Sequence, residues 1–243
     1  MPSYDKAITV FAPDGQLFQV QYAFEAVNRG SATVGIKGKD CVIFCVEKNA
    51  TAKLQDPRTI RKIQRVDEHL MITFAGLQAD ARVLIDKARL ECQSFRFTYE
   101  DAPSIEYVSR FIAQTQQKYT QKGGVRPFGI STFIAGFEGG VPHFYQTEPS
   151  GAMSEWKANA IGKKSKELRE YMEKHFKDGL TQDQSVRLGL ETMLEVVESA
   201  KSIECCVMKP DGTSEMINEQ TLDGICKSIE AEKEAAEAAK SKI

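Results

Sequence analysis

The chain has 243 residues, 32 of them basic and 34 acidic, for a formal net charge of −2, with 42% hydrophobic and 27% charged residues. That length can bury a sizeable core, and the balance is that of an ordinary globular protein. Interspersed charges of both signs exclude the electrostatic footprint of a nucleic-acid or anionic-membrane binder.

The opening MPSYDKAITVFAPDG carries charge early and has no apolar run, so no signal peptide is expected. No stretch approaches the roughly 18 to 20 apolar residues that a membrane-spanning helix needs. The first element is predicted over 16–29, in FAPDGQLFQVQYAFEAV. Pro13-Asp14-Gly15 forms a turn, and Leu17, Val20, Phe24 and Val27 recur at helical spacing as one apolar stripe. Gly30 stands where a C-terminal cap is wanted.

Three apolar, β-branched runs follow as strands: TVGIK (33–37), CVIFCV (41–46) and LMITFA (70–75). Six cysteines fall at 41, 45, 92, 205, 206 and 226, none in a CxxC pair, and they read as reduced core thiols of a cytosolic or nuclear protein. A helix is predicted from Leu77 to about Cys92, with Ala81, Leu84, Ile85 and Ala88 on its apolar face. A second spans Ser104 to Tyr119 and is stopped by Gly123-Gly124. Strands return at ISTFIAGF (130–137) and PHFYQ (142–146). Two more helices carry Leu168, Tyr171, Met172 and Phe176, and then Val186, Leu190, Met193, Leu194 and Val197. The second opens on the capping-box pattern Thr181-Gln182-Asp183-Gln184. A last strand, IECCVM (203–208), precedes a charged tail from about 225 to 243. With few apolar anchors, that tail is expected to be a solvated, fraying helix.

Grouped strands alternating with paired helices argue against a doubly wound parallel sheet. They predict an α+β fold of two stacked sheets with helices outside, and no linker divides the chain. Chemistry is hard to find. His69, His143 and His175 are scattered, and no HxxxH, Cys/His cluster, EF-hand loop, GxxxxGK[ST], GxGxxG or GxSxG occurs. No metal or cofactor is expected.

The combination YDKAITVFAPDGQLFQVQYAFEAV, GSATVGI, KLQDPRTIRKI, FAGLQADAR, YTQKGGVRPFGIS, YQTEPSG and WKANAIG nevertheless resembles the α-type subunits of the 20S proteasome over essentially the whole chain. AITVF, KLQDPRTIRKI, ARLECQS and WKANAIG are most like the paralogue at the fourth α position of the ring. The resemblance implies the four-layer αββα sandwich of N-terminal-nucleophile hydrolases with an extra N-terminal helix, as one domain over 1–243. It implies a subunit of a seven-membered ring that stacks on β-type subunits, gates substrate access and docks activator particles in the cytoplasm and nucleus. No nucleic-acid or membrane partner is implied.

In catalytic β-type relatives a propeptide is removed to expose a threonine, whose hydroxyl is the nucleophile and whose α-amine is the base. Ser31 falls at that position, with Glu47 and Lys62 near its supporting acid and lysine, but Ser31 stands inside a continuous chain. The resemblance therefore implies no catalytic residue. It assigns Tyr4, Asp5, Pro13 and Tyr22 to the gate cluster, with residues 1–12 as the gating tail, and Lys62, Gly30 and Gly76 to the pocket for activator tails. Lys6 replaces the arginine often found after Tyr-Asp, keeping the charge without the bidentate fork. From the residues alone, Pro13 is only a turn residue, Tyr22 interface packing, Ser31 a junction and Lys62 a solvated charge beside a strand. Two competing functions share the pattern: an amidohydrolase that must cleave before Ser31, and a self-assembling peptide-binding ring without a proteolytic partner.

Overall fold

The computed structural model describes residues 10–48, 54, 61–197 and 202–240, with the side chains of the last helix described through residue 233. In chain order the elements are α1 (Phe18–Asn28), β1 (Thr33–Lys37), β2 (Val42–Glu47), β3 (Gln64–Asp67), β4 (Leu70–Gly76), α2 (Gln78–Tyr99) and α3 (Ile105–Gln121). They continue with β5 (Ile130–Glu138), β6 (Val141–Thr147), β7 (Met153–Glu155), β8 (Ala158–Ile161), α4 (Ser165–His175), α5 (Gln182–Leu194), β9 (Ile203–Met208), β10 (Ser214–Met216) and α6 (Glu219–Lys240).

The strands form two five-stranded sheets, in the orders β10-β9-β2-β1-β8 and β3-β4-β5-β6-β7, and every pairing is antiparallel. Alternation along each strand decides what it touches. In β2, Val42, Phe44 and Val46 face the other sheet, where they meet Met71, Ala75, Phe133, Ala135 and Phe144. Ile43 and Cys45, one residue out of phase, face α4, α5 and α6. In the second sheet Ile72, Phe74, Ile130 and Ile134 turn outward onto α2 and α3. The result is helix, sheet, sheet, helix, the αββα layering expected. Phe44, Phe133 and Phe144 lock the inter-sheet layer, with ring centroids 4.9 to 6.3 Å apart.

Two predicted strands, β1 and β9, match to the residue. The helix over 104–119 starts as expected, because the Ser104 side chain accepts from the Tyr107 N–H as its N-cap. The capping box at Thr181 and Gln184 is formed from both sides.

Three expectations need correction. α2 runs on to Tyr99 rather than ending near Cys92, because its last turns leave the core and lose the apolar period: Phe97 is 90% exposed. The C-terminal tail is not a solvated helix from 225. α6 starts at Glu219, and Leu222, Cys226 and Ile229, spaced four and three, are buried in the same cluster as α5. The inward face of α1 is Val20, Ala23 and Val27, while Leu17 and Phe24 are half-buried. All six cysteines are free and buried. Among the described residues no helix is long and apolar enough to cross a membrane.

Candidate functional site at the end of the first helix

α1 lies across one end of the sandwich, touching β4 and β5 and sending Val27 into the inter-sheet cluster. Between α1, the start of β1 and the start of α2 lies a cavity of about 570 Å³. α1 contributes Tyr22, Glu25, Ala26 and Arg29 to its wall. Gly30, Ser31, Lys62 and Phe74 form the floor, and Gly76, Leu77 and Gln78 close the far side. The three residues assigned to the tail pocket, Lys62, Gly30 and Gly76, thus share one cavity with Ser31 and with Tyr22 of the gate cluster. Pro13 does not line it. That residue sits in the preceding turn, closed by Ala12 N–H donating to Gln16 (2.8 Å) and Gly15 N–H to Ala12 (2.8 Å). Tyr4 and Asp5 lie outside the described residues.

Gly30 is not a left-handed cap. It is needed for contact: a Cβ there would stand 2.3 Å from the Gly76 backbone nitrogen, so two main chains touch where side chains would collide. Gly76, at φ +115, adopts a conformation that other residues rarely take. Leu77 N–H donates to the Gly129 carbonyl at 3.0 Å, so it is spent inside the fold rather than left for a ligand. The start of α2 is further fixed by Asp80, whose carboxylate takes Arg126 at 2.6 and 2.7 Å and the Gly129 N–H at 3.0 Å. Burial raises the Asp80 pKa, but these donors outweigh it and hold the carboxyl below its usual range.

Ser31 is buried, and its amide lies within a continuous backbone. The Gly30 carbonyl accepts the Lys163 N–H at 2.8 Å. Glu47 caps the other side, one oxygen accepting the Ala32 N–H at 3.1 Å and the other the Lys163 ammonium at 2.6 Å. The acid expected beside Ser31 therefore pairs with Lys163, not with Lys62. Lys62 is only 8% exposed and makes no ion pair with a described residue, which corrects its reading as a solvated charge. Burial depresses its pKa to about 8, against the pull of the Glu47 and Glu204 carboxylates, and Lys163 adds to the depression.

Sequence reasoning missed Lys163, Glu204 and Arg29. Glu204 was findable as the lone acid inside the apolar run IECCVM. Its Oε2 is buried without a hydrogen-bond partner among the described residues, and burial raises its pKa against Lys48, Arg61 and Lys62. Lys163 had no such signal, because its partner is 116 residues away. Chemically the cavity offers a poised ammonium, the exposed Arg29 guanidinium and apolar walls at Ala26, Phe74 and Leu77. That combination suits a carboxylate-terminated chain with an apolar or aromatic side chain behind it.

A family model described as "Proteasome subunit" matches residues 27–208. The chain belongs to the proteasome subunit family. The preceding residues of this proteasome subunit, 4–26, match the N-terminal signature of the A class of proteasome subunits, which covers α1 and the turn before it. The chain is 55% identical over 233 residues to a Dictyostelium discoideum protein named "Proteasome subunit alpha type-7", covering 95% of this chain and 93% of that one. It is 55% identical over 244 residues to "Proteasome subunit alpha type-7-A" of Arabidopsis thaliana, covering 99% and 97%. "Proteasome subunit alpha type-8" of Mus musculus is 51% identical over 243 residues, covering 98% and 97%. The recognition made from the motifs is thereby established at the level of an α-type proteasome subunit most like alpha type-7.

Proposed function

We propose that this chain is a non-catalytic α-ring subunit of the 20S proteasome core, at the fourth ring position. It stacks on β-type subunits, helps to gate substrate access through residues 1–12 and receives activator C-terminal tails in the cavity at Lys62. It works in the cytoplasm and nucleus, and the six buried free thiols suit such a reducing setting.

The observation that carries the reading is the junction at Ser31. A nucleophile of this fold needs a free α-amine as its base. Here the nitrogen is an amide, and the carbonyl before it is held by Lys163. The helix upstream is anchored by Val20, Ala23 and Val27, which argues for a retained element rather than a removable leader. Without the amine, the Ser31 hydroxyl keeps its weak intrinsic nucleophilicity.

Native mass spectrometry of the complex, followed by intact mass of this chain, tests the proposal. A particle containing β-type subunits, with this chain retaining the residues before Ser31, is expected. A mature chain beginning at Ser31, or a ring free of β-type subunits, would overturn it.

A further inference from the structure

A second cavity, of about 200 Å³, opens between the β8 edge of the first sheet and α4. Met172 and Phe176 give it an apolar side, and Trp156, Asn159 and Arg169 a polar one. Two of these polar groups have hydrogen-bonding capacity left over. The Trp156 indole Nε1 is buried with no partner among the described residues, whereas a buried tryptophan N–H normally finds an acceptor. Arg169 spends its Nε on the Ala160 carbonyl at 3.1 Å. That bond fixes the guanidinium at the cavity wall and leaves its terminal nitrogens without a hydrogen bond to a described residue.

The other donors are occupied. Asn159 donates to Gln146 Oε1 and accepts from the Ala160 N–H, and Lys157 is held by Asp178 at 2.8 Å. The site therefore lacks acceptors, not donors. A carboxylate offers acceptors only, in the planar spacing a guanidinium matches. The exposed Glu173 carboxylate, also on the wall, disfavours a second negative charge. The volume is below that of a drug-sized site and suits one ring with one substituent.

We propose that this cavity binds a small aromatic monocarboxylate. Its ring lies against Met172 and Phe176, and its carboxylate accepts from the Trp156 indole and the Arg169 guanidinium. Such a site is separate from the cavity at Lys62.

Trp156 is the only tryptophan in the chain, so its emission reports on the cavity directly. Benzoate titrated into the full chain, with tryptophan-selective excitation, is expected to change that emission saturably. Benzamide, the neutral isostere, should bind about tenfold or more weakly, the loss typical of a charge-assisted hydrogen bond. Arg169→Gln should shift the benzoate midpoint by a similar factor. Because Arg169 also ties α4 to β8, Arg169→Lys is measured beside it, with thermal melts to establish that both are folded. Equal responses to benzoate and benzamide in the unaltered chain would overturn the proposal without any variant. A change that never saturates, or an unshifted midpoint in the folded Arg169 variants, would do the same.

Discussion

At the residue scale, Lys62 has opposite consequences for stability and for recognition. Its folded value of about 8 lies below the ordinary 10.5. Below pH 8 the ammonium is charged in both states, and the folded one bears the full cost of burial. Between about 8 and 10.5 the folded chain has released the proton and the unfolded chain still holds it, so stability climbs with pH across that window. Lys62→Met should therefore raise the melting temperature at pH 7, by about 1–3 kcal/mol in stability, and flatten the rise above pH 8 in a melting series. The same change should abolish activator stimulation of peptide hydrolysis, which in the unaltered particle should decline as pH passes 8. Retained stimulation in Lys62→Met would remove this lysine from the docking site. Gly30→Ala is expected to cost several kcal/mol, of the order seen for overpacking and backbone strain, because its methyl would meet the Gly76 nitrogen at 2.3 Å. Denaturant unfolding checks it.

At the scale of elements, α6 is a structural member of the helix layer. Ile229→Ala should destabilise by roughly 2–5 kcal/mol, as buried isoleucines do, whereas a fraying tail would give no change in a denaturant titration. The sequence under-read this helix because its buried stripe is thin, three residues in a run otherwise rich in Ala, Glu and Lys. The strands show the rule more sharply. Those legible in the sequence are the central ones, whose apolar runs are buried on both faces. The four unread, QRVD, MSE, ANAI and SEM, are the four edges of the two sheets. An edge strand is short and needs no continuous apolar run, so its pairing is set by the neighbour rather than by its own residues. The site was legible to a different degree. Lys62, Gly30 and Gly76 were placed by resemblance, since neither a lone lysine nor a lone glycine announces a pocket. Lys163 and Arg29 became visible only once folding brought distant segments together.

At the scale of the whole molecule, the turn at Ala12–Gln16, α1 and the cavity at Lys62 form one continuous run of structure. Deleting the residues before Ala7 should raise basal peptide hydrolysis of the assembled particle if this chain helps to close the gate. The rise should persist in a Lys62→Met background, because gating and docking would then rest on different parts of the same helix. An unchanged basal rate would assign closure to other subunits. The contact between Gly30 and Gly76 adds a mechanical consequence. It pins the C-terminal end of α1 against the sheet, main chain to main chain, beside the buried Val27, while Tyr22 and the preceding turn remain open to their surroundings. A push on the cavity wall therefore cannot slide the helix along its axis; it can only swing the free end. The two glycines act as a fulcrum.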